Sequence, residues 1–336
     1  MSYIKKKLKP EQVHFVHGWA WGIIIFAVVL LLASGIRHGY FSYWFGSDYR
    51  IVNVHEVIQT SDEGNKLAEV MRHVSIDHQV LVGAPDQVVY YDGSGGFSGY
   101  NANNTAVLDA QKRRPKRYSA FCTFNPTEPG YMQIVADCVS RGASGFKLYT
   151  GHSFFHSARL DDPMMFAFYD YMQEQSLPLI FHVNSAKYQD EFEAVLKLYP
   201  DMKVICPHFC LTSSNLQRLS YLFDTYPNLH TDISFGDEEF LAEGLERISA
   251  DPLKYKEFIE KYSDRFFFGT DIIVTDYEGK DVEWLRRLFQ VYRDMLEQEN
   301  FLAYVKAGIE FKGLGLDRDV LTQIYEKNWD LMLAGK

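Results

Sequence analysis

The 336-residue chain is poor in cysteine: it has four, Cys122, Cys138, Cys206 and Cys210, and no two form a CxxC pair. With 47% hydrophobic residues it can bury a large core without a disulfide framework. Cations are also scarce. Lys and Arg number 34 against 44 Asp and Glu, a formal net charge of -10, and no basic stripe is interleaved with aromatics. That excludes nucleic acid as an expected partner. There is no internal repeat and no low-complexity tract, which excludes a solenoid. The first strand-to-helix turn, Val54–Thr60, has no glycine fingerprint for a dinucleotide. One glycine-rich segment, Asp92-Gly93-Ser94-Gly95-Gly96-Phe97-Ser98-Gly99, lacks the Gly-Lys-Ser/Thr ending of a phosphate loop and reads as a loop or lid.

What the chain does have begins with a long apolar run. Lys5, Lys6, Lys7 and Lys9 precede a stretch from Gln12 to Ile36 with no Asp, Glu, Lys or Arg. Trp19, Trp21, Tyr40, Tyr43 and Trp44 flank its core. A span needs roughly 20 apolar residues, and aromatics gather at its interfaces. Residues 1–47 are therefore expected to form a basic segment and one transmembrane helix, an uncleaved anchor rather than a signal peptide. The lysines put the N-terminus in the cytoplasm and the following domain on the far side of the membrane. His14 and His17 at the start of the run read as interfacial histidines.

From residue 48 to 336, short apolar strands alternate with amphipathic helices. The expected strands are Ile51–His55, Gln79–Gly83, Tyr118–Phe124, Gly145–Tyr149, Leu177–His182, Lys203–Pro207, Leu229–Ser234 and Phe266–Asp271. Between them Phe192, Val195, Leu196 and Tyr199 recur at helical spacing, as do Leu216, Leu219, Phe223 and Tyr226, then Leu285, Leu288 and Tyr292. Pro200 and Pro227 stop two of these helices before a strand. Eight strand–helix units predict an α/β fold of the closed (β/α)8 TIM-barrel type, and Arg318–Leu333 reads as a terminal helix. Asn103-Asn104-Thr105 matches a glycosylation acceptor, a triplet common by chance.

In such a barrel the site lies at the carboxyl ends of the strands. Strand alternation with Val54 outward turns Asn53, His55 and Val57 inward. Lys147 and Tyr149 share one face, His182 ends the fifth strand, and Cys206, His208 and Cys210 share a face of the sixth. His230, Asp232 and Ser234 share a face of the seventh. The eighth strand ends Phe268-Gly269-Thr270-Asp271, where glycine allows a close approach before the carboxylate. Three imidazoles and one carboxylate at strand ends, His55, His182, His208 and Asp271, make a metal-ligand set suited to Zn²⁺ or another first-row divalent ion.

His55, Gly145-Phe146-Lys147-Leu148, Pro178-Leu179-Ile180-Phe181-His182, Pro207-His208 and Phe268-Gly269-Thr270-Asp271 together resemble the amidohydrolase superfamily. The nearest branch is the amidohydrolase 2 group of metal-dependent hydrolases and decarboxylases. Ile324–Leu333 resembles that group's last helix, and the likeness runs from Asp48 to the C-terminus. It implies that His55, His182 and Asp271 ligate a divalent metal, with His208 beside it as a ligating or catalytic residue. It also implies that Asp271 takes a proton from water at the metal. Lys147 stands where binuclear relatives carry a carboxylated lysine; here it could instead bind an anionic substrate group or pair with Asp271.

The sequence departs from the family's His-x-His on the first strand, because Val57 takes the second position. His208, Lys147, or His152 or His156 after the fourth strand could make up the set. Two functions are consistent with this reading. One is a membrane-anchored, metal-dependent hydrolase or decarboxylase of a small organic substrate. The other is a degenerate barrel that binds a small molecule or a membrane partner without catalysis. Oligomerisation is left open.

Overall fold

A computed structural model describes residues 49–90, 96–306 and 308–334. One compact unit spans Tyr49–Lys336. Nine parallel strands form a curled sheet: β1 (Ile51–Ile58), β2 (Ile76–Val82), β3 (Tyr118–Cys122), β4 (Gly145–Gly151), β5 (Leu179–Val183), β6 (Val204–Cys206), β7 (Leu229–Asp232), β8 (Phe266–Phe267) and β9 (Ile272–Val274). Their order is β8-β7-β6-β5-β4-β3-β2-β1-β9. This is the α/β, TIM-barrel-like architecture.

The expected eighth strand is in fact broken. Phe266 and Phe267 pair with β7, whereas Ile272–Val274 pair with β1. Across the break the Val54 N–H donates to the Phe268 carbonyl (2.9 Å) and the Asp271 N–H to the His55 carbonyl (2.7 Å). The ring therefore closes through the residues flanking the carboxylate. Asp271 itself has φ +52°, a left-handed conformation that ends the strand.

Two apolar clusters follow from strand alternation. The inner one takes Val52 and Val54 from β1, Val80 and Val82, Phe121, Tyr149, Ile180, Ile205 and Phe267. Trp329 of the C-terminal helix closes its amino end, packing on Phe121 and Phe267 at 6.3 and 6.4 Å between ring centroids. The larger outer cluster lies between sheet and helices and includes Leu81, Phe146, Leu148, Phe181, Cys206 and Phe268. The helix at Gln189–Leu198 buries Phe192, Val195 and Leu196, the periodic residues that predicted it. The terminal helix runs Arg318–Thr322 and Asn328–Leu333 with a π-helical turn at Gln323–Lys327 between them.

Several expectations are corrected. Val54 points into the barrel with Val52, not outward, and the register shift of β1 against β2 between Asn53 and Glu56 is what brings His55 inward as well. All four cysteines are paired, Cys122 with Cys138 and Cys206 with Cys210. Asn103 is no glycosylation acceptor: it is buried, accepts from the Ala84 N–H (2.8 Å) and donates to the Ile58 carbonyl (2.7 Å). The single-pass membrane placement is also withdrawn. Among the described residues no helix is long and apolar enough to cross a membrane. The anchor expected within residues 1–47 lies outside the described residues.

Candidate metal centre at the barrel mouth

Three chain segments bring ligands to one point, each by a local departure from regular structure. His55 comes from β1 just where the register shifts. Counting by twos from Val52 and Val54 would send residue 55 outward; the bulge lets it follow Val54 to the same side. Asp271 comes from the left-handed break between β8 and β9. His208 comes from the turn after β6, where His208, Phe209, Cys210 and Leu211 all have φ between +53° and +60°. Left-handed backbone costs an L-residue about 1–2 kcal/mol, so four in a row need strong local support. The face-sharing expected of Cys206, His208 and Cys210 is thus corrected. The strand stops at Cys206, which faces the outer core, and the turn swings His208 back to the mouth.

The side chains converge. One ligand atom each from His55, His208 and Asp271 lie within 4.8 Å of one another. His55 Nε2 is 3.0 Å from Asp271 Oδ1, and His208 Nε2 is 3.3 Å from Asp271 Oδ2. The opposite nitrogen of each ring is held: His55 Nδ1 by Asp232 Oδ2 at 2.8 Å, His208 Nδ1 by the Ser234 hydroxyl at 2.8 Å. Asp232 is completely buried and also accepts from the backbone N–H groups of His208 (2.9 Å) and Ser234 (3.1 Å) and from the Ser234 hydroxyl. Gly269 makes room for it, since a Cβ there would sit 2.9 Å from Asp232 Cβ.

Electrostatics follow from this packing. Burial pushes the Asp232 carboxyl up, but the His55 hydrogen bond and the His55 and His208 charges overcome it and hold it well below the usual range. Asp271 behaves alike: burial opposes ionisation, yet His55, His208 and Lys147 bring it down to about 2. Burial lowers His55, but Asp271 and Asp232 outweigh it and leave the ring raised. Lys147, drawn down to about 8 by burial, has its Nζ 2.7 Å from His55 Nε2. That is hydrogen-bond distance. His208 is lowered, mainly by burial.

The other expected residues stand nearby but outside the group of three. The His182 ring lies 5.0 Å from His208 and 4.6 Å from His152. Burial, then the His208 and Lys147 charges, keep His182 far below its usual value and His152 down to about 4. His156 turns away to Glu191 (2.9 Å) and stacks on Tyr188. Val57 is fully buried among the inner apolar residues. Glu56 does not replace the missing imidazole: its Oε1 takes the Asn53 amide (2.7 Å) and the Thr270 hydroxyl, and burial keeps its carboxyl well above the usual range. Asp232 and Ser234 are the site residues the candidate set omitted, although their alternation with His230 on β7 was the signal. Beyond Tyr149 a cavity of about 220 Å³ is lined by Phe97, Phe124, Phe154 and Phe155 among others.

A curled parallel sheet with imidazoles and a carboxylate at its carboxyl mouth defines a TIM-barrel-like α/β chain. The amidohydrolase family model matches residues 84–328, most of the length, and the chain belongs to that family. The match begins after β1 and β2, so it does not include His55. No curated protein sequence matches the chain. Among solved structures, an uncharacterized TIM-barrel protein from Bordetella bronchiseptica is 15% identical, with 86% of this chain and 100% of that one covered and a TM-score of 0.56. A probable 2-pyrone-4,6-dicarboxylic acid hydrolase from Acinetobacter baumannii is 14% identical, with 84% and 98% covered and a TM-score of 0.56. A 5-carboxyvanillate decarboxylase from Novosphingobium aromaticivorans, solved with manganese, is 12% identical, with 85% and 96% covered and a TM-score of 0.51. At these identities the likeness is one of fold. Nothing in the donor set of His55, His208 and Asp271 selects zinc over another first-row divalent ion, so the expectation of zinc in particular is not supported.

Proposed function

We propose that the protein is a metal-dependent hydrolase or decarboxylase of a small organic substrate, working at the carboxyl mouth of the barrel. The observation that carries this is the convergence of His55, His208 and Asp271. The donor set fits a divalent ion. Two imidazoles each turn one nitrogen to the shared carboxylate while the other is anchored by Asp232 or Ser234, the support that metal-bound histidines use. His55, His208 and Asp271 would hold the ion, and it would supply a Lewis acid that activates water and polarises a substrate oxygen.

The chain's own groups do the rest. Asp232 fixes the His55 ring so that Nε2 faces the mouth. Asp271, ionised and tied through its backbone to β1, offers a carboxylate that can take and return a proton. Lys147 gives the mouth a cationic wall beside His55, which suits an anionic group on the substrate. His182 and His152, both held below the usual histidine range chiefly by burial, add polar rings beside the mouth.

Metal analysis of the purified protein after chelation and reloading with Mn²⁺ or Zn²⁺ tests the reading. The expected result is one divalent ion per chain, bound measurably more weakly in His208→Ala and lost in Asp271→Asn. A clean preparation that takes no stoichiometric ion refutes it. The position of Val57 favours a second reading, a barrel that binds without catalysis. Restoring an imidazole with Val57→His would then create metal occupancy that the unmodified protein lacks. Full occupancy and turnover in the unmodified protein defeat that reading.

A further inference from the structure

We propose that the Cys206–Cys210 disulfide is a positioning device that holds His208 at the metal centre; this rests on the reading that His208 belongs to such a centre. Cys206 ends β6 facing the outer core, and Cys210 is buried in the same cluster. By strand alternation residue 208 would follow Cys206 to that outer side. What turns it back is the run of four left-handed residues, none of them glycine.

Other contacts hold the turn at single points. The His208 N–H reaches Asp232 (2.9 Å), and the Ser185 hydroxyl reaches the Cys210 carbonyl (2.9 Å). The Thr231 hydroxyl reaches the Cys206 carbonyl (2.6 Å). The disulfide joins the last residue of β6 to the third left-handed residue of the turn, with their Cα atoms 4.9 Å apart. An ordinary extension of the strand would carry residues 206 and 210 roughly 13 Å apart. The bond therefore excludes the extended alternative outright. Both cysteines are fully buried, which makes the bond a fixed pin. Glycines could adopt the same conformation unaided, and the sequence does not use them here.

The test compares four proteins: wild type, C206A/C210A, H208A and C206A/H208A/C210A. Mn²⁺ binding is measured by calorimetry, and amide exchange is followed at His208. Removing the pin is expected to weaken Mn²⁺ binding about tenfold or more, as loss of ligand support does. It should also speed exchange of the His208 amide while the strands stay protected. The triple variant should bind no more weakly than H208A, because both changes remove the same ligand. A further variant, C206A/C210G/L211G, should recover both readouts, since glycine takes the left-handed conformation freely and Leu211 is partly exposed.

Wild-type Mn²⁺ affinity and His208 exchange in C206A/C210A would overturn the proposal. So would losses that add in the triple variant, or peptide mapping that finds free thiols at 206 and 210. If C206A/C210A fails to fold, the glycine variant decides: a folded protein with a protected His208 amide supports the pin, and one that also fails overturns it. If wild type takes no Mn²⁺, the metal reading falls, while His208 amide exchange still judges the pin.

Discussion

Replacing Asp232 with Asn tests the centre at its least exposed support. The carboxylate accepts from four donors: His55 Nδ1, the N–H groups of His208 and Ser234, and the Ser234 hydroxyl. Three of them converge on Oδ1 and one on Oδ2. Asparagine can keep its oxygen for the three, but its NH₂ must then face His55 Nδ1. That nitrogen becomes an acceptor, and the ring's proton moves to Nε2, the atom 3.0 Å from Asp271. A protonated Nε2 cannot ligate. Loss of such support weakens metal binding about 10–100-fold, or about 1.4–2.7 kcal/mol. Titration of chelated protein with Mn²⁺ reads the change directly. Ser234→Ala serves as the milder comparison, since it leaves the His55 tautomer alone. Mn²⁺ affinity in Asp232→Asn equal to wild type would refute the tautomer argument.

Other perturbations separate structural from chemical roles. Asp294, pushed up to about 6 by burial, holds more protons folded than unfolded between its ordinary 3.8 and that value. Stability therefore falls as pH rises through this window, by at most about 3 kcal/mol. Asp294→Asn should be more stable at pH 7 and indistinguishable below about pH 4; parallel denaturation curves at both pH values would contradict this. Glu56→Gln should leave Mn²⁺ affinity unchanged and shift stability by about 1 kcal/mol or less, because burial holds the Glu56 carboxyl well above its usual range and its Oε1 is turned to Asn53 and Thr270. A large loss of affinity would make Glu56 the stand-in for the missing imidazole. Trp329→Ala, which opens the amino end of the barrel, should cost about 3–5 kcal/mol in urea unfolding. Arg50→Ala, which breaks an exposed pair with Asp330, should cost under about 1 kcal/mol.

The strands and their order were legible because parallel strands covered on both faces read as short apolar runs between amphipathic helices. Lys147, Tyr149 and Asp232 fell on the expected faces because β4 alternates from Phe146 to Tyr149 and β7 alternates to its end at Asp232, and Ser234 follows just beyond it. His55 and His208 reached the mouth for reasons alternation cannot express. On β1 a register shift resets the count, and Val54 and His55 both turn inward. After β6 a left-handed turn reverses the chain, and its residues, His-Phe-Cys-Leu, carry none of the glycine that usually marks that conformation. The disulfide was hidden for the same reason: a four-residue spacing between cysteines says nothing until the turn is known. Asp271 was visible as the end of an aromatic run, but not as the point where one strand becomes two. Asp232 was placed correctly and yet passed over, because a buried carboxylate that supports an imidazole looks, in sequence, like any other strand residue.

The seam at Asp271 has a further consequence for how the molecule assembles. Asn53 and Thr270, neighbours across it, are 217 positions apart in the chain. Contacts of such separation form late, after the loop between them has been collapsed. Until that last pairing is made, the imidazole near the start and the carboxylate near the end are strangers in solution. Ion uptake would thus report on completed assembly rather than on any partial one. A refolding experiment that follows uptake alongside backbone structure should find the first lagging the second.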